Sequence, residues 1–392
     1  MNPNPQKPPF IAIACGGTGG HLFPGLAVAE QLQRRGCDVA LLISPKDVDQ
    51  QAVKSAAGMA VHTLPAVGLQ NRNYFSFAAS FVKSLLAARQ LFRQRPPQAV
   101  LAMGGFTSAP PIFAGKLLGA KTFLHESNTI PGKANRYLAR FVDEAFVGFP
   151  ETAGRLKARQ VTRTGTPVRP QFFVFTAPER EAAARQLGLQ PKVPTILVVG
   201  GSQGASGLNA MVLSALPLLA HRNWQWLHLT GANDFEKVKS AYAAQGIRAV
   251  VKPFLAEMDL ALGVATAAVS RAGASSLAEL AAVRVPALLV PFPAAAENHQ
   301  FFNAQMYVQD GAAQLLEQKE STPEKVASIL AELVEDGAAR TKMDAALARW
   351  HAPECASQIA ESILRLSGVP AVTPAAAVRA PKPAAPKNLS TV

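Results

Sequence analysis

Acidic residues are missing from Gln50 to His125, although Lys54, Arg72, Lys83, Arg89, Arg93, Arg95, Lys116 and Lys121 all fall inside that stretch. One face of the N-terminal half is therefore expected to be strongly positive. Cysteine is scarce: Cys15, Cys37 and Cys355 stand far apart with no C-x-x-C pair. That spacing argues against a disulfide framework or structural zinc site and suits a reducing compartment. No window holds the roughly 20 uninterrupted apolar residues of a bilayer-spanning helix, since the uncharged stretch Ala99 to Gly115 is broken by Gly104, Gly105, Pro110 and Pro111. The start, residues 1–9, is proline-rich, with no apolar run and small-residue cleavage site to follow, and reads as a flexible leader rather than a secretion signal.

What is present is 392 residues, 49% hydrophobic and 17% charged, with a net charge of +13. The length is about twice that of an ordinary domain, which predicts two domains, each with its own core. The charge points to an anionic partner, and nucleic acid, phosphoryl groups and an acidic membrane surface all satisfy it.

Phe10 to Cys15 is a short apolar run that ends in Gly16-Gly17-Thr18-Gly19-Gly20-His21, after which Pro24 opens a helical pattern that stops at Gly36. This predicts strand, glycine turn, helix. Further apolar runs at Val39 to Ile43, Ala99 to Met103, Thr122 to Leu124 and Ala145 to Gly148 alternate with helical segments. The device then repeats: Thr195 to Val199 leads into Gly200-Gly201-Ser202-Gln203-Gly204 and another helical run. Strands are predicted again at Trp224 to Leu229, Ala249 to Val251, Ala267 to Val269 and Ala287 to Val290. The expected fold is α/β with two Rossmann-like, doubly wound parallel sheets, their boundary between Gly165 and Pro194. Residues 367–392, rich in alanine and proline and without an acidic residue, are expected to be disordered.

A glycine turn between strand and helix lets main-chain N–H groups approach an anion where the helix dipole favours negative charge. Two such turns suit a nucleotide diphosphate, although tight turns also take glycine for steric reasons alone. The first is not a dinucleotide fingerprint: G-G-T-G-G-H departs from G-x-G-x-x-G, and Ile43 is followed by Ser44-Pro45-Lys46 rather than an acidic residue. A third glycine edge, Gly104-Gly105-Phe106-Thr107-Ser108, follows a strand as well.

His21 has the near-neutral pKa of a general base, or it hydrogen-bonds its own turn. His125-Glu126-Ser127-Asn128 follows a strand and is expected to face the cleft toward sugar hydroxyls, or to be an ordinary polar loop. Ser276 and Glu279 have the S-x-x-E spacing of a capping box, while a carboxylate there could instead accept from ribose hydroxyls. Arg169, in Gly165-Thr166-Pro167-Val168-Arg169, is placed to bind a diphosphate or to be a solvated hinge residue. Glu297-Asn298-His299-Gln300 opens a later helix. Asp47 and Asp49 have D-x-D metal spacing of little weight. Phe75, Phe77, Phe81, Val82, Leu85, Leu86 and Phe92, interleaved with Lys83, Arg89 and Arg93, have the composition of a helix lying in a lipid interface, or of a core helix.

Six ordered motifs, G-G-T-G-G-H-x-x-P-G at Gly16 to Gly25, G-G-F-x-S at Gly104 to Ser108, H-E-S-N at His125 to Asn128, G-x-P-V-R at Gly165 to Arg169, G-G-S-Q-G at Gly200 to Gly204 and E-N-H-Q at Glu297 to Gln300, resemble the MurG family of peptidoglycan N-acetylglucosaminyltransferases. The resemblance runs from about Phe10 to Leu366. It implies the GT-B glycosyltransferase fold and inverting transfer of GlcNAc from UDP-GlcNAc to the C4 hydroxyl of undecaprenyl-pyrophosphoryl-MurNAc-pentapeptide (lipid I), giving lipid II at the cytoplasmic face of the bacterial membrane.

It implies an acceptor and membrane-associated domain at 10–166, a UDP-GlcNAc domain at 167–350, and a helix at 351–366 returning to the first domain. Thr18, Gly19, Gly20 and Asn128 match family positions near the sugar. Arg169, Ser202, Leu255, Ser275, Ser276 and Gln300 match the UDP side, and Glu279 matches the ribose carboxylate, which displaces the capping reading. His21 is the candidate base, with Glu126 a second catalytic candidate and Gly104, Gly105 and His125 on the acceptor side. No cofactor or essential divalent metal is expected. The implied partners are the two substrates, anionic inner-leaflet lipids and other cell-wall synthesis proteins, with no nucleic acid. A UDP-GlcNAc 2-epimerase on the same scaffold is the rival enzyme, and a basic binding protein the rival outside catalysis.

Overall fold

The computed structural model describes residues 7–45, 58–65, 74–201 and 204–370. Ser202, Asp47, Asp49, Lys54 and Arg72 lie outside the described residues, as do most of the leader and the tail from residue 371.

The apolar runs become strands. The first sheet holds β1 (Phe10–Ala14), β2 (Asp38–Ile43), β3 (Ala60–Thr63), β4 (Ala99–Ala102), β5 (Lys121–Glu126), β6 (Glu144–Val147) and β7 (Val161–Arg163), in the order β3-β2-β1-β4-β5-β6-β7. The second holds β8 (Thr195–Val199), β9 (Gln225–Leu229), β10 (Ala249–Lys252), β11 (Ala267–Ser270), β12 (Ala287–Leu289) and β13 (Gln314–Leu315), in the order β10-β9-β8-β11-β12-β13. Every pairing is parallel. Every residue of β1 and β4 is buried, as expected for parallel strands covered by helices on both faces.

In both sheets the strand order reverses beside the first strand, between β1 and β4 and between β8 and β11. The crevice outside the carboxyl ends at such a reversal is where open α/β sheets bind ligands. β3, β7 and β13 have no counterpart among the predicted strands. All three are outermost, and none contains a buried residue, so no continuous apolar run marks them.

The helix Cys355–Leu366 packs on the helix Gly19–Arg34, with Ile359 and Ile363 fully buried in one cluster with Ile11, Leu22 and Leu26. At about 1.5–3 kcal/mol per buried aliphatic side chain, this burial outweighs the ion pair from Arg35 Nη2 to Glu361 (2.9 Å), whose carboxylate side is largely exposed.

Candidate active site

On the N-terminal side, three loops meet above β1 and β4. Gly16 lies against the main chain of Ile43 and Ser44 so closely that a Cβ would overlap the Ser44 nitrogen. Thr18 is extended and the helix starts at Gly19. Thr107 Oγ1 donates to Gly16 O (3.0 Å), and Ser108 Oγ reaches Ala14 O (3.1 Å) and Gly104 O (2.7 Å), tying the third glycine edge to the first. His21, half-buried, rests on this edge. Gly104 has φ +125°, and a Cβ there would stand 2.8 Å from His21 Nε2, so only glycine admits the imidazole in this position. His21, Gly104 and Gly105, distant in sequence, are thus brought together.

The His125 to Asn128 segment behaves differently from expectation. His125 is fully buried, its Nε2 bonded to Gly165 O (2.9 Å) and its Nδ1 to Ser127 Oγ (3.2 Å). It does not open into the cleft but braces the chain where it leaves β7. Burial pushes its pKa down to about 4, so it stays neutral, as an internal brace must.

Glu126, also buried, accepts at Oε1 from Asn128 N (2.9 Å) and Asn128 Nδ2 (3.1 Å), and at Oε2 from Gly132 N (3.0 Å) and Asn135 Nδ2 (2.7 Å). Burial raises its pKa against the pull of these donors. A carboxylate with its lone pairs committed this way is a loop anchor, which corrects its candidacy as a catalytic group. Of the four residues, Asn128 is the one left partly exposed beside the cleft.

On the C-terminal side, Gly201 (φ +107°) and Gly204 (φ +80°) carry the turn between β8 and the helix Ser206–Leu219. The helix Ala274–Val283 starts behind Gly273, which has no side-chain cap. Ser276 is therefore inside the first turn and Glu279 a turn further on, so the capping box expected of that spacing does not form. It forms instead at Thr176, whose N–H donates to Glu179 Oε2 (2.9 Å).

Glu279 is half-buried, its pKa pushed up to about 7 by loss of water, with Arg169 opposing the shift and Asp259 adding to it. Arg169 lies over the rings of Phe23 (4.2 Å) and Phe172 (5.1 Å), and its Nε has no hydrogen-bond partner among the described residues. The Leu255 side chain is buried in the C-terminal core, which leaves only its main chain to face a ligand. Gln300 Oε1 accepts from Phe292 N (2.9 Å).

The two edges touch. Ser275 Oγ donates to Gly20 O (3.0 Å), placing the helix Ala274–Val283 against the first glycine turn. A second bridge has no signal in the sequence beyond a polar residue on a helix. Asn303, fully buried in the helix His299–Gln309, accepts from Thr129 N (2.9 Å) and donates to Asn128 Oδ1 (3.0 Å) and Ala272 O (3.1 Å). Arg136 pairs with Glu297, and Tyr307, one turn after Asn303, meets Phe149 at 6.3 Å and stacks on Trp350 at 4.5 Å.

Away from the cleft, the helix Tyr74–Gln94 splits its apolar residues. Phe92 and Ala88 are core, while Phe75 (90% exposed), Val82 and Leu86 face outward; Phe106, Leu117 (70%) and Tyr137 are exposed as well. Phe77 meets both Phe81 and Phe106, and Phe81 meets Phe113, which fixes this helix beside the third glycine edge. Among the described residues no helix is long and apolar enough to cross a membrane, and no group of three metal-ligating side chains occurs.

Two family models match the chain: the glycosyltransferase family 28 N-terminal domain over residues 11–147 and the family 28 C-terminal domain over residues 195–359. A curated relative from Anaeromyxobacter sp. (strain Fw109-5) is 38% identical over 359 residues, covering 90% of this chain and 92% of its own. One from Xanthomonas axonopodis pv. citri (strain 306) is 38% identical over 361 residues, covering 91% and 82%. Both are named UDP-N-acetylglucosamine–N-acetylmuramyl-(pentapeptide) pyrophosphoryl-undecaprenol N-acetylglucosamine transferase. The chain belongs to the MurG family. The crystal structure of Acinetobacter baumannii MurG, 28% identical, matches with a TM-score of 0.71 over 91% of this chain and all of that one. The fold is accordingly GT-B, and the MurG-family chain is a glycosyltransferase. A UDP-N-acetylglucosamine 2-epimerase matches with a TM-score of 0.67 at 16% identity over 94% of this chain, a likeness of architecture alone.

Proposed function

We propose that this chain transfers GlcNAc from UDP-GlcNAc, with inversion, to the C4 hydroxyl of the MurNAc unit of lipid I, forming lipid II for peptidoglycan synthesis. The observation that carries the reading is the meeting of the His21–Gly104 edge with the Ser275–Glu279 helix at one crevice, through the Ser275 to Gly20 hydrogen bond. UDP lies against the second sheet, with Glu279 toward the ribose, Arg169 and the Gly200–Gly204 turn toward the diphosphate, and Gln300 toward the sugar.

His21 takes the proton from the acceptor hydroxyl as it attacks the anomeric carbon. Main-chain amides and Arg169 meet the charge developing on the departing UDP. Contact between the halves excludes water that would otherwise hydrolyse the donor. The scheme needs no metal, because cationic and amide donors neutralise the leaving group. Phe75, Val82, Leu86, Phe106 and Leu117, with Lys83, Arg93 and Lys116 nearby, give the acceptor side an apolar surface edged by cations, suited to the anionic cytoplasmic leaflet where a lipid-linked acceptor resides.

Incubation with radiolabelled UDP-GlcNAc and a short-chain lipid I analogue, with and without chelator, is expected to yield a labelled disaccharide-lipid in both arms. UDP-ManNAc formed without acceptor would identify an epimerase instead. Absence of a labelled lipid when both substrates bind would refute the transfer.

A further inference from the structure

We propose that Asn303 is a positioning residue that couples contact between the halves to the orientation of Asn128. The reading rests on the transfer reaction above and on the family resemblance that puts Asn128 near the donor sugar.

An asparagine amide presents an acceptor and a donor group of nearly equal size, so its orientation is set entirely by its partners. At Asn128 both partners are fixed. The buried carboxylate of Glu126 accepts from Asn128 Nδ2, which forces Oδ1 to the opposite side, where it meets Asn303 Nδ2 at 3.0 Å. Asn303 is itself oriented without ambiguity. Its Oδ1 accepts from the main-chain N–H of Thr129, and its Nδ2 donates to the main-chain carbonyl of Ala272, just ahead of the helix that carries Ser275 and Glu279.

Thr152 Oγ1, donating to Asn128 O at 2.8 Å, holds the same peptide from below. One buried side chain of the C-terminal half thus reads two consecutive residues of the N-terminal half. When the halves separate, Asn128 keeps its bond to Glu126 but loses the donor on Oδ1, so its amide is held at one end instead of two. The Asn128 contact to the sugar is thereby conditional on closure, whereas the uridine and diphosphate contacts, all on the C-terminal half, are not.

Asn303→Asp tests this with almost unchanged volume: it keeps an acceptor for Thr129 N–H but removes both donated bonds. Asn303→Ala removes all three. The expected result for Asn303→Asp is a kcat/KM for UDP-GlcNAc about tenfold to a hundredfold lower, on the scale of one or two buried hydrogen bonds, with UDP affinity changed less than about twofold. In amide hydrogen exchange, Thr129 is expected to lose protection in Asn303→Ala and to keep it in Asn303→Asp.

UDP and UDP-GlcNAc affinities falling by the same factor, or a kcat/KM within twofold of the parent, would overturn the proposal. So would unchanged Thr129 protection in Asn303→Ala. The exchange measurement needs no substrate, and a parental chain inert toward UDP-GlcNAc and lipid I would refute the transfer reading separately.

Discussion

The two halves hold their ligand-facing loops with opposite chemistry. Beneath the N-terminal edge the hub is a buried carboxylate: Glu126 gathers two main-chain N–H groups and two side-chain amides onto its oxygens, so residues 127–132 are shaped around a single acceptor. Beneath the C-terminal glycine turn the hub is a buried neutral histidine. His228 Nε2 meets Asn209 Oδ1 (3.0 Å) and its Nδ1 meets Tyr242 Oη (3.1 Å). Asn209 Nδ2 in turn donates to Thr230 O (3.0 Å), against which Gly204 is packed, and to Asp234 Oδ2 (2.8 Å).

Because Asp234 accepts from the Asn209 amide nitrogen, the amide oxygen faces His228. The proton therefore sits on Nε2, and Nδ1 accepts from Tyr242. A carboxylate hub fixes main chain directly, whereas a histidine hub relays order through a second side chain. The first is costlier to break and the second more sensitive to acid.

The largest effect is expected from Glu126→Ala, which strands the buried Asn135 amide together with the part-buried N–H groups of Asn128 and Gly132. At about 1–3 kcal/mol for a buried unsatisfied group and less for a part-buried one, unfolding free energy should fall by about 3 kcal/mol in denaturant titration, and transfer by more than about a hundredfold. Glu126→Gln, which still offers one oxygen, should fall between. The corresponding cut in the other half, Asn209→Ala, should cost less, because the donor it strands is the single Nε2–H of His228, whereas Glu126→Ala strands donors on three residues. Equal losses in the two halves would erase the contrast.

Much of this was legible in the sequence, for a physical reason. Central parallel strands are covered on both faces, so β1, β4 and β8 announce themselves as apolar runs, and the glycine turns after them are the one way to bring a helix start close to an anion. The outer strands β3, β7 and β13 escape because half-covered backbone needs no apolar run. Side-chain direction escapes as well. His125 and Glu126 look like cleft residues because they follow the predicted strand Thr122 to Leu124, yet they are the buried end of β5, and only the folded chain shows which groups surround them. Ser276 and Glu279 carry a capping signature that fails because the helix starts at Ala274. Asn303 is invisible for a different reason: it sits three residues past Gln300 on a mixed helix, and its partners lie in two loops, at Asn128–Thr129 and at Ala272, far apart in sequence.

A smaller effect separates the hubs by pH. Burial pushes the pKa of His228 down to about 3, while an unfolded histidine keeps the ordinary 6.5. Its stabilising contribution is therefore complete above 6.5 and is lost as the unfolded chain takes up a proton below it, amounting to about 3 kcal/mol by pH 4. Unfolding free energy measured from pH 7 to 4 should fall more steeply in the parent than in His228→Gln, whatever the variant loses at neutral pH. Parallel slopes would mean that this histidine is not held neutral.

The smallest effect runs the other way and belongs to the cleft itself. The native Glu279 carboxyl keeps its proton to about pH 7, whereas an unfolded glutamate releases it near 4.5. The folded state's advantage from this group is thus present below 4.5 and disappears as the pH climbs through 7. Glu279→Gln abolishes that titration. Relative to the parent, the variant should gain about 2 kcal/mol of unfolding free energy between pH 4 and 8, the full shift being discounted because the residue keeps some solvent contact.

If the carboxylate serves the ribose of UDP, the same substitution should weaken UDP binding at pH 8 by about tenfold, the worth of one charge-assisted hydrogen bond. A residue that costs the empty protein stability while it strengthens nucleotide binding is one held for function rather than for the fold. An unaltered pH slope together with unaltered UDP affinity would remove Glu279 from the site and leave Arg169, bare at Nε and lying over two aromatic rings, to hold the nucleotide without it.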